Sequence, residues 1–189
     1  MALTSDLRVT NITSNFKVNR TFNLDAICNR PLITKSKTSN VNGNVRRFKS
    51  AVESIITNGN IVTALIYESG SVVLVGGKSE LMVREAMETF LFDHQCKLVQ
   101  ELKFSNYAMT FSVTHKLDLI KLYKCIVESS TELVCPVYEI EIFPSLLVTR
   151  CGTNTKASIF HTGRIIITGC NTLEQGQQMY SIIMNFIDQ

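Results

Sequence analysis

Nothing in these 189 residues reaches the length of a membrane span, because no apolar run approaches the roughly 20 residues that cross a bilayer. The opening Met1-Ala2-Leu3-Thr4-Ser5-Asp6 lacks a basic stretch followed by an apolar one, so no secretory signal is expected. The two sequons, Asn11-Ile12-Thr13 and Asn19-Arg20-Thr21, are then expected to be accidents of a chain rich in Asn and Thr. Six cysteines (28, 96, 125, 135, 151 and 170) form no C-x-x-C pair, and reduced, mostly buried thiols are expected rather than disulfides or zinc. The three histidines (94, 115 and 161) share no motif spacing with one another or with a Ser or Cys nucleophile. One foothold for an enzyme exists, Gly76-Gly77-Lys78-Ser79 between a strand and a helix. A phosphate-binding loop of the form G-x-x-x-x-G-K-[ST] would need Gly where Val72 stands, so the cradle of backbone N–H groups does not form. No catalytic residue, metal or cofactor is therefore expected. Charge is also scarce: the net value is +3, too little to bind a polyanion by charge alone. A nucleic-acid partner would have to be held by shape and apolar contact as well.

What the chain does have is repetition. Leu65-Ile66-Tyr67-Glu68-Ser69-Gly70-Ser71-Val72-Val73-Leu74-Val75-Gly76 returns as Ser158-Ile159-Phe160-His161-Thr162-Gly163-Arg164-Ile165-Ile166-Ile167-Thr168-Gly169, an offset of 163 − 70 = 93. Upstream, Phe48 and Phe143 are related by 143 − 48 = 95, and so are Asn11 and Asn106. Landmarks in one order with nearly constant offsets are the mark of two diverged copies of one unit. A two-fold pseudo-symmetric molecule is usually built for a symmetric partner.

Each half reads as strand, short helix, a meander of strands, and a longer helix. In the first half residues 7 to 14 read as a strand and 23 to 30 as a helix capped by Asn23. Residues 46 to 56 and 61 to 67 are strands around a turn at Asn58-Gly59-Asn60, and Ser69-Gly70 turns into a strand from Ser71 to Val75. After Ser79 the period changes: Leu81, Met82, Ala86, Phe90 and Leu91 recur at helical spacing, and Lys97 to Glu101 read as a continuation of that helix. The second half has strands over 104 to 113, 137 to 150, 156 to 160 and 164 to 168, and helices over 117 to 127 and Thr172 to Ile187. No linker separates the halves, which places a first repeat at 1–102 and a second at 103–189.

Helices on one face of an antiparallel sheet leave the other face open, and its outward positions are ordinarily polar. Here alternation puts Leu65, Tyr67, Val73 and Val75 together, and in the second half Ser158, Phe160, Arg164, Ile166 and Thr168. An extended apolar face of this kind marks a binding surface.

On these residues the chain resembles the TATA-box-binding protein family, over about residues 7 to 187. The motifs that carry the resemblance are Arg46-Arg47-Phe48, Ala64-Leu65-Ile66-Tyr67-Glu68-Ser69-Gly70, Gly77-Lys78-Ser79, Glu139-Ile140-Glu141-Ile142-Phe143-Pro144 and Ser158-Ile159-Phe160-His161-Thr162-Gly163-Arg164. The resemblance implies an α+β, saddle-shaped fold in which two repeats share one curved antiparallel sheet with helices on the convex face. It also implies a nuclear, non-enzymatic transcription initiation factor that binds A·T-rich, TATA-like DNA from the minor groove and bends it with aromatic wedges.

The family's wedge positions fall on Phe48, Tyr67, Phe143 and Phe160. The readout and floor positions fall on Asn11, Thr13, Leu65, Val73, Val75, Asn106, Ala108, Ser158, Ile166 and Thr168. An Asn amide can donate to adenine N3 and thymine O2, the acceptors that an A·T pair shows in the minor groove. Basic positions for phosphates are Arg47, Lys78 and Arg164, with Arg150 beside the place of a usual arginine. Glu139, Glu141 and Ile142 match the stirrup that binds a TFIIB-like or Brf-like factor of the polymerase machinery. The chain departs from the family at Tyr67, Thr13, Val75, Ala108, Asn171, Ser54 and Thr149, and in the acidic Glu80, Glu85, Glu88 and Asp93 of its first long helix. Those departures keep a second possibility open: a related scaffold or competitor that binds transcription factors with little DNA specificity. Dimerisation of the chain without DNA is also left open.

Overall fold

In a computed structural model, residues 5–28, 33–35, 40–41, 44–45 and 50–188 are described. Phe48, Arg46 and Arg47, and the expected strand start at 46 to 49, lie outside them. The chain divides into two compact units, one of residues 11–105 and one of residues 1–10 with 106–189.

The elements run β1 (Arg8–Val18), α1 (Leu24–Ile27), β2 (Ile33–Lys35), β3 (Asn40–Val41), β4 (Asn44–Val45), β5 (Ser50–Thr57), β6 (Asn60–Tyr67), β7 (Ser71–Gly77) and α2 (Glu80–Asp93). They continue with β8 (Leu98–Ser112), α3 (Leu119–Ser129), β9 (Leu133–Val137), β10 (Ser145–Arg150), β11 (Lys156–Phe160), β12 (Arg164–Cys170) and α4 (Leu173–Ile187). Within the 11–105 unit the strand order is β2-β5-β6-β7-β1, antiparallel throughout, and β3 pairs with β4 in a separate two-stranded ribbon. Within the other unit the order is β8-β12-β11-β10-β9, again antiparallel.

Strand periodicity decides the layers. In β6 the residues Val62, Ala64 and Ile66 are buried and Thr63, Leu65 and Tyr67 are not; in β7 Val72 and Leu74 are buried between Ser71, Val73 and Val75. β11 and β12 repeat this, with Ala157, Ile159, Ile165 and Ile167 inside. The buried face is the one that the helices cover: α2 packs on β5 and β7, and α4 on β12. Contact is close because glycines permit it. A Cβ on Gly77 would stand 2.2 Å from Val83 Cγ2 of α2, and one on Gly176 of α4 would stand 2.3 Å from Met109 Sδ of β8. Helix starts follow the caps: Ser79, Asp118 and Thr172 side chains each accept from a first-turn backbone N–H.

Three readings of the sequence need correction. The first strand does not end at residue 14: β1 runs on to Val18, with Phe16 and Val18 buried. Residues 97 to 101 do not prolong α2; Cys96 N–H donates back to Leu91 O, and β8 begins at Leu98. The residues Leu98-Val99-Gln100-Glu101 are all exposed, so no buried face imposed an alternation on the sequence there. The expected strand over 137 to 150 is broken: Ile142 and Phe143 N–H both donate to Glu139 O, closing a turn between β9 and β10.

Candidate nucleic-acid interface

In the 11–105 unit the helix-free face is built in rows across paired strands. Val52, Leu65, Val73 and Asn15 form one row through successive pairings, and Ser54, Thr63, Val75 and Thr13 form the next. Tyr67 closes the face beside Ser50, half-buried at the end of β6. In the other unit the matching row is Leu147, Ser158, Ile166 and Thr110, followed by Thr149, Lys156 and Thr168. Thr110 is buried, its hydroxyl donating to Ile165 O, and Ala108 is half-buried nearby on β8. The rows mix aliphatic side chains with hydroxyls, a surface that is neither a core nor a solvated polar face.

Asn11 and Asn106 occupy equivalent places. Each repeat carries a β-bulge on the strand facing its Asn, at Gly76 in β7 and Gly169 in β12, where the register slips by one residue. Both glycines have positive φ, +102° and +74°, a conformation that a side chain would strain. Gly76 N–H donates to Asn11 Oδ1 at 2.7 Å and Gly169 N–H to Asn106 Oδ1 at 2.9 Å. Because a backbone N–H only donates, the amide oxygen must be the atom that meets it, and this settles the orientation of both side chains. The Nδ2 donors are left on the far side of each amide; Asn11 Nδ2 makes one long contact of 3.4 Å to Thr13 Oγ1. The bulge thus holds each Asn with its donor end outward.

Phe143 and Phe160 meet edge to face, with ring centroids 5.9 Å apart and planes at 69°. Phe160 ends β11 opposite Ser145, and Phe143, 54% exposed, stands just before β10. The turn preceding it presents Glu139 and Glu141 to solvent together with Ile140 and Ile142, the latter 79% exposed.

Cations are sparse but placed. Lys78 is exposed just before the Ser79 cap, and Arg164 opens β12 opposite Ser112. Arg150 lies on the side that α4 covers, its Nη1 donating to Gln178 Oε1. Two lysines escaped the sequence reading. Lys156 pairs across the sheet with both Thr149 and Thr168, and Lys17 pairs with Ser71. Both are exposed and share the period-2 face of Ser158 and of Thr13, so alternation carried back one step from Ser158 and forward from Asn15 would have found them.

A family model described as transcription factor TFIID, or TATA-binding protein, matches residues 6–92 and again 101–189. The chain belongs to the TATA-binding protein family. It is a divergent member: it is 27% identical over 190 residues to the TATA-box-binding protein-like 1 of Entamoeba histolytica, covering 96% of this chain and 79% of that protein. It is 28% identical over 158 residues to the TATA-box-binding protein of Caenorhabditis elegans, covering 78% of this chain but 43% of that one. The chain therefore spans less than half the length of the nematode relative. Among solved structures, the Methanococcus jannaschii TBP superposes with a TM-score of 0.72 at 19% identity, covering 97% of this chain and 99% of that chain. The fold is accordingly the α+β fold of TATA-binding proteins with two repeats, and the family is one of non-enzymatic transcription factors.

Proposed function

We propose that this chain acts in the nucleus as a transcription initiation factor that lies on the minor groove of A·T-rich DNA and bends it. The observation that carries the reading is the pinned pair of amides: Gly76 and Gly169 hold Asn11 and Asn106 by their oxygens, leaving Nδ2 donors for groove acceptors. Adenine N3 and thymine O2 accept such donors in either orientation of the pair, whereas the guanine N2 amino group is itself a donor and opposes them. Leu65, Val73, Val75, Thr13, Ala108, Ser158, Ile166 and Thr168 then form the floor, and Phe143 with Phe160 pries a base step open. Phe48 and Tyr67 form the other wedge. Tyr67 is the weaker member, because its hydroxyl loses water on entering a base stack. Arg47, Lys78 and Arg164 take phosphates, whereas Arg150, held by Gln178 on the side that α4 covers, stays out of that set. The exposed Glu139, Glu141 and Ile142 recruit a TFIIB-like or Brf-like factor, with acids around an apolar anchor.

A gel-shift titration of A·T-rich against G·C-rich duplexes tests this. The wild type prefers the A·T duplex by more than about threefold, and Asn11→Asp or Asn106→Asp, which keep the oxygen for the glycine N–H and remove the donor, weaken that binding about tenfold. With the factor added, Glu141→Arg retains the DNA shift and loses the slower ternary band. A preference below about threefold favours instead the scaffold that binds proteins with little DNA specificity.

A further inference from the structure

The two units differ where the strand-to-helix corner meets the end of the long helix. Phe22 N–H donates to Glu68 O in one unit, and Leu117 N–H to His161 O in the other, so Phe22 and Leu117 are equivalent residues. The caps agree, Asn23 with Asp118 and Ser79 with Thr172. In the 11–105 unit this corner is plugged by rings. Phe22 lies 6.1 Å from Phe90 and 5.5 Å from His94, and Phe90 lies 4.3 Å from His94, by centroids. His94 is further held by Glu53 Oε2 at 2.8 Å. At the corresponding positions the other unit has Leu117, Ile183 and Ile187, so none of the three rings recurs, and the one ring at this corner is Phe186 from a neighbouring position of α4. A cavity of about 430 Å³ stands open there, with apolar walls of Leu117, Leu122, Phe186 and Ile187.

Its rim is cationic. His115, Lys116 and Lys121 border it, and Lys124 follows one turn along α3. The one carboxylate among its lining residues, Asp118, is consumed by the backbone N–H groups of Ile120 and Lys121, each at 3.0 Å. We propose that this cavity between the start of α3 and the end of α4 is a docking site for an acidic protein segment that inserts an aromatic side chain. The rings of the sister unit are the template for what fits, and the lysine rim selects carboxylates on either side of the inserted residue. Apolar anchor and charged rim divide the work: the anchor supplies residence, the rim supplies encounter rate and salt sensitivity.

The probe is a fluorescein-labelled ten-residue peptide with one central Phe flanked by Asp and Glu, titrated with the full chain by anisotropy. Saturable binding is expected, weakened about tenfold when the Phe of the peptide is replaced by Ala. Leu117→Phe, which refills the corner as Phe22 does, and the surface change Lys121→Glu are each expected to weaken it about tenfold as well. Both variants should keep the wild-type unfolding midpoint and duplex affinity, since the cavity is formed on α3 and α4 rather than on the helix-free face. No saturable binding to the wild type, equal affinity for the Ala peptide, or binding unchanged in Lys121→Glu overturns the proposal. A chain that binds the peptide normally but fails to shift DNA instead refutes the reading of the open face and leaves this one standing.

Discussion

Cys96 and Cys170 show how burial alters the chemistry of a single residue. Both thiols are buried, and loss of hydration raises their pKa above the ordinary thiol value; Arg20 partly opposes this at Cys96, and the Thr155 hydroxyl and then Arg150 at Cys170. Cys135 and Cys151 are exposed. The thiolate is the reactive form, so a raised pKa leaves less of it at any pH below that value, and access is denied too. With iodoacetamide near pH 8, Cys135 and Cys151 are expected to be alkylated first, and Cys96 and Cys170 only when the chain unfolds, as read by peptide mass mapping. Early labelling of Cys170 would mean that α4 opens from β12 in the native state. A second residue-scale feature is Asn11, whose role changes with the atom considered: its oxygen is a structural acceptor and its nitrogen a donor with one long contact to Thr13 Oγ1.

At the scale of elements, the helix-to-sheet contact depends on missing side chains. Gly77 lies under Val83, and an added Cβ would overlap Val83 Cγ2 at 2.2 Å; a β-branched residue in a helix has little rotamer freedom with which to yield. Gly77→Ala is therefore expected to lower stability by about 1–3 kcal/mol through overpacking of α2 against β7. In a Val83→Ala background the same change should cost far less, because the colliding methyl is gone. Urea denaturation of the four members of this cycle measures the coupling, and additive losses would show that the glycine acts by backbone freedom instead. Several elements with one buried face were legible in the sequence: β6, β7, β11, β12, α4 and the start of α2 fell where alternation or helical spacing put them, although the end of β1, with Phe16 and Val18 buried, was not read. Legibility also failed where no core enforces a pattern. Leu98 to Glu101 is an exposed strand without alternation, and Glu139 to Phe143 is an exposed turn rich in strand-forming Ile. The candidate face was legible from Leu65, Tyr67, Ser158 and Phe160. The bulges that orient Asn11 and Asn106 were not, since a one-residue register slip at a glycine leaves no mark on hydrophobic period.

For the molecule as a whole, a net charge of +3 sets how its binding should respond to salt. Arg47, Lys78, Arg150 and Arg164 are the candidate phosphate ligands read from sequence; Arg150 is held by Gln178 on the α4 side, and the fold adds Lys17 and Lys156 to the remaining three. Lys156 is the informative one: it is cross-strand neighbour to Thr149, so it places a cation on β11 beside a position of β10 that has none. Each phosphate contact releases counterions and contributes about 0.9 to the slope of log affinity against log salt. Five contacts give a slope of about 4 to 5, modest for a DNA-bending protein, with the rest of the binding energy drawn from apolar contact in the groove. Lys156→Ala and Arg164→Ala are each expected to lower the slope by about 0.9 and to weaken A·T-rich and G·C-rich duplexes alike, because phosphates carry no base identity. A duplex titration from low to moderate salt measures both quantities. A Lys156→Ala chain with the wild-type slope would remove Lys156 from the contact set, and a change in base preference without a change in slope would make it a reader of the groove instead.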